Sequence, residues 1–242
     1  VQLGLTLEDV ATALDLEEGL LLEADVLDLE SELLGAAARR LHVVDLLNRD
    51  HRTERHQLAL HLGRFHAEKY AAHPSADLVA VVDVDRERPR SVARDLGVEA
   101  ITDHRSLEGR IDCASVAVPT QQHHAVVHDL LAGGIDVLVE KPLTTTVDEG
   151  KSLVELAVRG ARVLQVGHLE RFNPAVRALE GVVTQPRFIE CHRLAQFTER
   201  GTDVDVVLDL MIHDLDVILS MVPSPLRSVE AVGVPLLTSS VH

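Results

Sequence analysis

A chain of 242 residues is long enough for one large or two modest domains, and a hydrophobic fraction of 46% makes it globular rather than disordered. Its net charge of −16 argues against nucleic acid or an anionic membrane as partner, because both select a basic face. No apolar run reaches the ~18 residues that a membrane helix needs.

The first 55 residues carry 13 acidic and 5 basic side chains, which is half of the net charge in under a quarter of the chain. Their Leu-rich pattern mixes helical and alternating spacing and holds no chemical motif. Residues 1–55 are therefore expected to be an appended or misread acidic segment, helical or poorly ordered. VQLGLTLEDV has neither the basic flank nor the apolar stretch of a signal peptide. From His66 the chain becomes regular. FHAEKYAAHP predicts a helix that stops at Pro74, and DLVAVVDVD is a β-branched run suited to a strand buried on both faces. RPRSVARDLGV predicts an amphipathic helix closed by Gly97. CASVAVP and IDVLVEKP are two further strands, with the helix HHAVVHDLLAGG between them. TVDEGKSLVELAVRG and VLQVGH are the next helix and strand. Such alternation predicts βαβ units and a parallel sheet. With aromatic residues at 2% and no Trp, its core must be aliphatic. Cys113 and Cys191 both stand in apolar sequence and are expected to be buried, reduced thiols, which suits a soluble cytoplasmic protein.

In a doubly wound sheet, ligands bind at the carboxyl ends of the strands, and polar residues close several of these. Asp83 ends LVAVVD, 20 residues after Gly63, the spacing at which an acidic residue meets the adenosine ribose hydroxyls. That carboxylate favours NAD over NADP; the other reading is a solvated strand end. Pro119 and Thr120 close SVAVPT, with His123 opening a helix whose first amides suit a cofactor, although a His there is often a capping residue. Glu140 and Lys141 end another strand. Lys141 suits an alkoxide or a substrate hydroxyl, and an ordinary strand terminator is an equal alternative. Asp209 and His213 are four apart and share a helix face, so a carboxylate can orient an imidazole that acts as general base. A surface ion pair is the commoner reading of such spacing. No HExxH or clustered ligand spacing accompanies the 14 histidines, so no metal site is expected.

Taken together, Asp83, PTQQH (119–123), EKP (140–142), GHLERFNP (167–174) and LDLMIHDLD (208–216) resemble the Gfo/Idh/MocA oxidoreductases from about His61 onward. The combination of EKP after a strand with Asp-x-x-x-His some 70 residues later is specific. The resemblance implies a Rossmann domain followed by an α/β domain whose open sheet supports the substrate and often an oligomer interface. It implies Lys141, His213 and Asp209 as catalytic residues, and Arg171 and Asn173 on the substrate side. Gly63, Arg64, Asp83, Pro119, Thr120, His123 and Glu140 are the implied NAD contacts. VLQVGHLERFNPAV with DVDVVLDLMIHDLD is most similar to the branch acting on nucleotide sugars, with UDP-N-acetylglucosamine 3-dehydrogenases nearest.

Two departures accompany the resemblance. HLGRFH (61–66) keeps one glycine of G-x-G-x-x-G, while Leu58 and Leu60 align with the other two, where side chains would obstruct the pyrophosphate and weaken NAD⁺ binding. The strand before them is expected to be missing, since RDHRTERHQ is too charged for a central strand. The stop at VGVPLLTSSVH comes before several strands of the family's open sheet, so a frameshifted or fragmentary sequence is expected. The predicted organisation is α/β: residues 1–55 apart, a Rossmann-like domain over 56–142 with a degenerate first strand, and an incomplete open-sheet domain over 143–242. The expected activity is hydride transfer from a sugar hydroxyl carbon to NAD. The alternative is a degenerate, non-catalytic binding or structural protein of the same fold.

Overall fold

The computed structural model describes residues 39–44, 55–194 and 205–234, with backbone alone for 39–44 and 55–61. One compact unit runs up to Gly167, and a second takes in the chain from His168.

The first unit is built on β1 (Arg39–Val44), β2 (Ala76–Val82), β3 (Glu99–Ile101), β4 (Cys113–Val116), β5 (Asp136–Val139) and β6 (Leu164–Val166). These form one parallel sheet in the order β3-β2-β1-β4-β5-β6. Helices α1 (Arg55–Ala72), α2 (Arg88–Leu96), α3 (Thr120–Ala132) and α4 (Val147–Gly160) supply the crossovers. The order reverses between β1 and β4, and the crevice at that reversal is where doubly wound sheets take their ligands.

β1 corrects one expectation. The first strand is present, inside the segment set apart as 1–55, and it holds the centre of the sheet between β2 and β4. RRLHVV escaped notice because two arginines and a histidine break the apolar run that marks a central parallel strand. The last three residues of the charged stretch RDHRTERHQ open α1, which begins at Arg55. The sheet also extends beyond the expected boundary at residue 142, because β6 pairs with β5.

The aliphatic core is split by the sheet. On one face Ala80, Val82, Ala114, Val116, Val137 and Val139 meet α3 and α4 through Val126, Val127, Leu130, Leu153 and Ala157. On the other, Leu78, Val81 and Cys113 meet α1 and α2 through Ala67, Tyr70 and Val92. Strict alternation would put Leu78 with Ala80. An irregularity in β2 intervenes: Leu41 and His42 of β1 pair with Leu78 and Ala80, so Val79 is an extra residue and Leu78 joins the opposite face.

Helix ends follow local chemistry. Gly97 closes α2 at φ +72°, the left-handed conformation that favours glycine, and its amide donates to the Ala93 carbonyl. Thr146 and Glu149 form a capping box on α4, each side chain accepting from the other's backbone amide. Thr146→Ala is expected to cost about 1 kcal/mol in urea unfolding. A change below a few tenths would mean that water replaces the cap.

The second unit contains a 3-10 turn at Leu169–Phe172, the short helix α5 (Pro174–Arg177), and a π-helical turn, Val207–Met211, that runs into α6 (Ile212–Met221). Among its described residues there is no strand, so the expected open sheet is not found there. Cys113 is buried as expected, whereas Cys191 is exposed, a correction; neither forms a disulfide among the described residues. No helix among the described residues is long and apolar enough to cross a membrane.

Candidate active site

The strand ends of the first unit gather most of the polar residues singled out in the sequence. Asp83 follows β2 and is 2% exposed. Its amide donates to Ile101 O at 3.1 Å, and its Oδ1 accepts from the Asp85 amide at 2.8 Å. Pro119 stands at the N-cap of α3 and Thr120 is its first residue, directly after β4 in the sheet's ligand-facing end. Lys141 follows β5 with Glu140 before it and a cis bond to Pro142 after it.

Gly63 and Arg64 are placed differently from expectation. Both lie within the 18-residue helix α1, as do Leu58 and Leu60, and not in the turn between β1 and α1. That connection is residues 45–54, DLLNRDHRTE, which contains no glycine. Gly63 is buried, and Arg64 is exposed, bonding Glu68 at 2.7 Å and lying 3.8 Å from Asp95.

His123 also departs from its expected role. Its ring is 1% exposed and faces three backbone carbonyls: Nδ1 lies 2.8 Å from Pro142 O and 3.3 Å from Leu143 O, and Nε2 lies 2.9 Å from Val118 O. A side chain so placed has no surface for a dinucleotide; it braces the segment after Lys141. Burial pushes the imidazole below its ordinary range, with the carbonyl bonds and the Glu140 charge acting against that shift.

Glu140 is spent inward as well. Alternation along β5 sends Leu138 to the α1 side of the sheet, and Glu140 continues it. There its Oε1 meets His66 Nε2 at 2.9 Å, while His66 Nδ1 bonds the Ser115 hydroxyl. His66 was not expected at the site; its position four residues before the core residue Tyr70, on the same face of α1, is a sequence signal for its burial.

In the second unit, Asp209 lies in the π turn and His213 in the first turn of α6. The wider π turn closes i→i+5, and such turns are frequent at functional sites. The residues beside His213 are held by arginines. Arg171 forks onto the buried Asp216, its Nε at 3.1 Å from Oδ2, and Arg193 forks onto Asp214 at 2.9 and 2.8 Å. The Arg193 guanidinium holds the Asp214 carboxyl below its usual range, with burial opposing it. Arg171, expected on the substrate side, thus has its guanidinium engaged by Asp216. Asn173 is exposed and caps α5, its Oδ1 accepting from the Ala175 amide at 3.0 Å.

The Rossmann segment has relatives of known kind. Residues 59–168 match the family model described as "Oxidoreductase family, NAD-binding Rossmann fold". The chain is 40% identical over 179 residues to a UDP-N-acetylglucosamine 3-dehydrogenase of Acidithiobacillus ferrooxidans, covering 74% of this chain and 56% of that one. It is 34% identical over 165 residues to an inositol 2-dehydrogenase of Rubrobacter xylanophilus, covering 64% of this chain and 48% of that one. A solved structure of UDP-N-acetylglucosamine 3-dehydrogenase GnnA from Acidithiobacillus ferrooxidans superposes with a TM-score of 0.72 at 36% identity, over 84% of this chain and 63% of that one. The chain spans about half the length of the curated relatives it matches.

Proposed function

Because this chain belongs to the Gfo/Idh/MocA oxidoreductase family, whose Rossmann fold binds NAD, we propose that it serves an NAD-dependent dehydrogenase acting on a sugar hydroxyl, with a nucleotide sugar of the UDP-N-acetylglucosamine class as substrate. The observation that carries this reading is a parallel sheet of Rossmann order with Asp83, Thr120 and Lys141 following β2, β4 and β5 at its ligand-binding end. The 40% identity to a UDP-N-acetylglucosamine 3-dehydrogenase supports the substrate class.

The strand order and Asp83 fit the adenosine half of NAD. Leu58 and Leu60, expected to obstruct the pyrophosphate, lie within α1. When bound, NAD supplies the hydride acceptor. Asp83 would hold the ribose hydroxyls, and the first amides of α3, after Pro119, would contact the cofactor. Lys141 donates to the substrate oxygen and stabilises its developing negative charge. His213 removes the hydroxyl proton, with Asp209 orienting its ring. Asn173 remains a candidate substrate contact. A cytoplasmic setting and a homo-oligomeric assembly complete the proposal.

NADH formation from NAD⁺ and UDP-N-acetylglucosamine tests the activity; absence of turnover with this and other nucleotide sugars rejects it. Asp83 makes a second expectation. A carboxylate against the 2′-phosphate of NADP costs several kcal/mol, so isothermal titration is expected to find NAD⁺ bound at least about tenfold more tightly. Equal or tighter NADP⁺ binding removes Asp83 from the ribose site.

A further inference from the structure

The pair formed by His66 and Glu140 is built in a way that a strand terminator does not require. Glu140 is 9% exposed, and its carboxylate is bonded at 2.9 Å to an imidazole that is itself largely covered. A buried carboxylate is costly unless a donor meets it. The second ring nitrogen of His66 bonds the hydroxyl of Ser115, which is wholly buried in β4. Ser115 can donate to Nδ1 while Nε2–H donates to Glu140, so the neutral ring satisfies both neighbours at once. The chain from α1 through His66 to the ends of β4 and β5 therefore joins three elements at one point.

Glu140 is also confined from the opposite direction. A Cβ on Gly167 would stand 3.3 Å from Glu140 Oε2 and 3.4 Å from Cδ, so glycine at this position leaves the carboxylate the space it occupies. The Glu140 amide donates to Val116 O at 2.9 Å, and the Gly167 amide donates to Val139 O at 2.8 Å. Side chain and backbone of Glu140 are thus both fixed, and the next residue in the chain is Lys141.

We propose that His66 is a positioning residue for Lys141, acting through the Glu140 carboxylate that it holds beside Ser115 and Gly167. The inference rests on the dehydrogenase reading, in which Lys141 touches the substrate oxygen. His66 does not meet substrate; it determines where the strand end carrying Lys141 lies. A misplacement of about 1 Å in a reacting group can lower a rate on the order of 100-fold.

The test is steady-state kinetics with NAD⁺ and UDP-N-acetylglucosamine on the full chain and on His66→Ala, His66→Gln, Gly167→Ala and Lys141→Ala. His66→Ala is expected to lower kcat by about 10- to 100-fold with NAD⁺ affinity little changed. His66→Gln keeps a donor where Nε2 was and is expected to recover most of the loss. Gly167→Ala displaces the carboxylate without removing any polar group and is expected to lower kcat as well. In a Lys141→Ala background, His66→Ala should add little further loss, since its effect passes through that lysine. Normal kcat in His66→Ala, or full additivity with Lys141→Ala, overturns the inference while leaving the dehydrogenase reading intact. No turnover in the unmodified chain, or normal turnover in Lys141→Ala, rejects that reading itself and the inference with it.

Discussion

His213→Ala is expected to lower kcat on the order of 10²–10⁴-fold, the range lost with a positioned general base. Oxidising an alcohol requires a group that removes the hydroxyl proton as the hydride leaves, and a neutral imidazole does so near neutral pH. Asp209 lies one turn earlier in the π segment, where a carboxylate can orient the ring. Lys141→Ala is expected to fall into the same range, because stabilising the developing oxyanion serves the same transition state. NAD⁺ affinity should barely change in either variant, since neither side chain is assigned to the dinucleotide. Steady-state kinetics beside isothermal titration checks the pair. Near-normal turnover in His213→Ala, with NAD⁺ binding lost, would leave Asp209 and His213 as a surface pair.

Asp216→Ala is expected to destabilise the unit that contains it by about 3 kcal/mol, the scale on which removing one partner of a buried ion pair acts. Asp216 is 1% exposed and accepts both arms of the Arg171 guanidinium, which is itself mostly covered. Removing the carboxylate strands that cation beside α6 and unties the turn at Leu169–Phe172 from the helix that carries His213. Urea unfolding followed by circular dichroism measures the cost. A loss under about 1 kcal/mol would assign the pair the energy of a solvated surface bridge.

The asymmetry between these two arginine forks is physical. Arg193 and Asp214 are each about a quarter to a third exposed, so water screens their attraction. Arg171 and Asp216 have lost most of that screening, and each now depends on the other. Arg171 was expected on the substrate side because GHLERFNP resembles the family's motif, and that resemblance says nothing about what the guanidinium meets 45 residues away.

The local patterns of the chain determined most of the first unit. Short, largely apolar runs marked β2, β4, β5 and β6, because a strand covered on both faces is mostly apolar. Gly97 marked a helix end through a short-range preference that a sequence displays directly. Asp83 and Lys141 were legible as residues at strand ends for the same reason. Only the tertiary structure decided the rest. β1 carries RRLHVV and became recognisable through its pairing with β2 and β4, since backbone hydrogen bonds tolerate polar side chains that a hydropathy pattern rejects. His66 and Glu140 lie 74 residues apart, and His123 meets carbonyls 19 and 5 residues away. Each of these polar groups was readable as a surface or ligand residue until burial removed its water. The partners that replaced that water are set by how strands and helices pack, and no run of neighbouring residues encodes them.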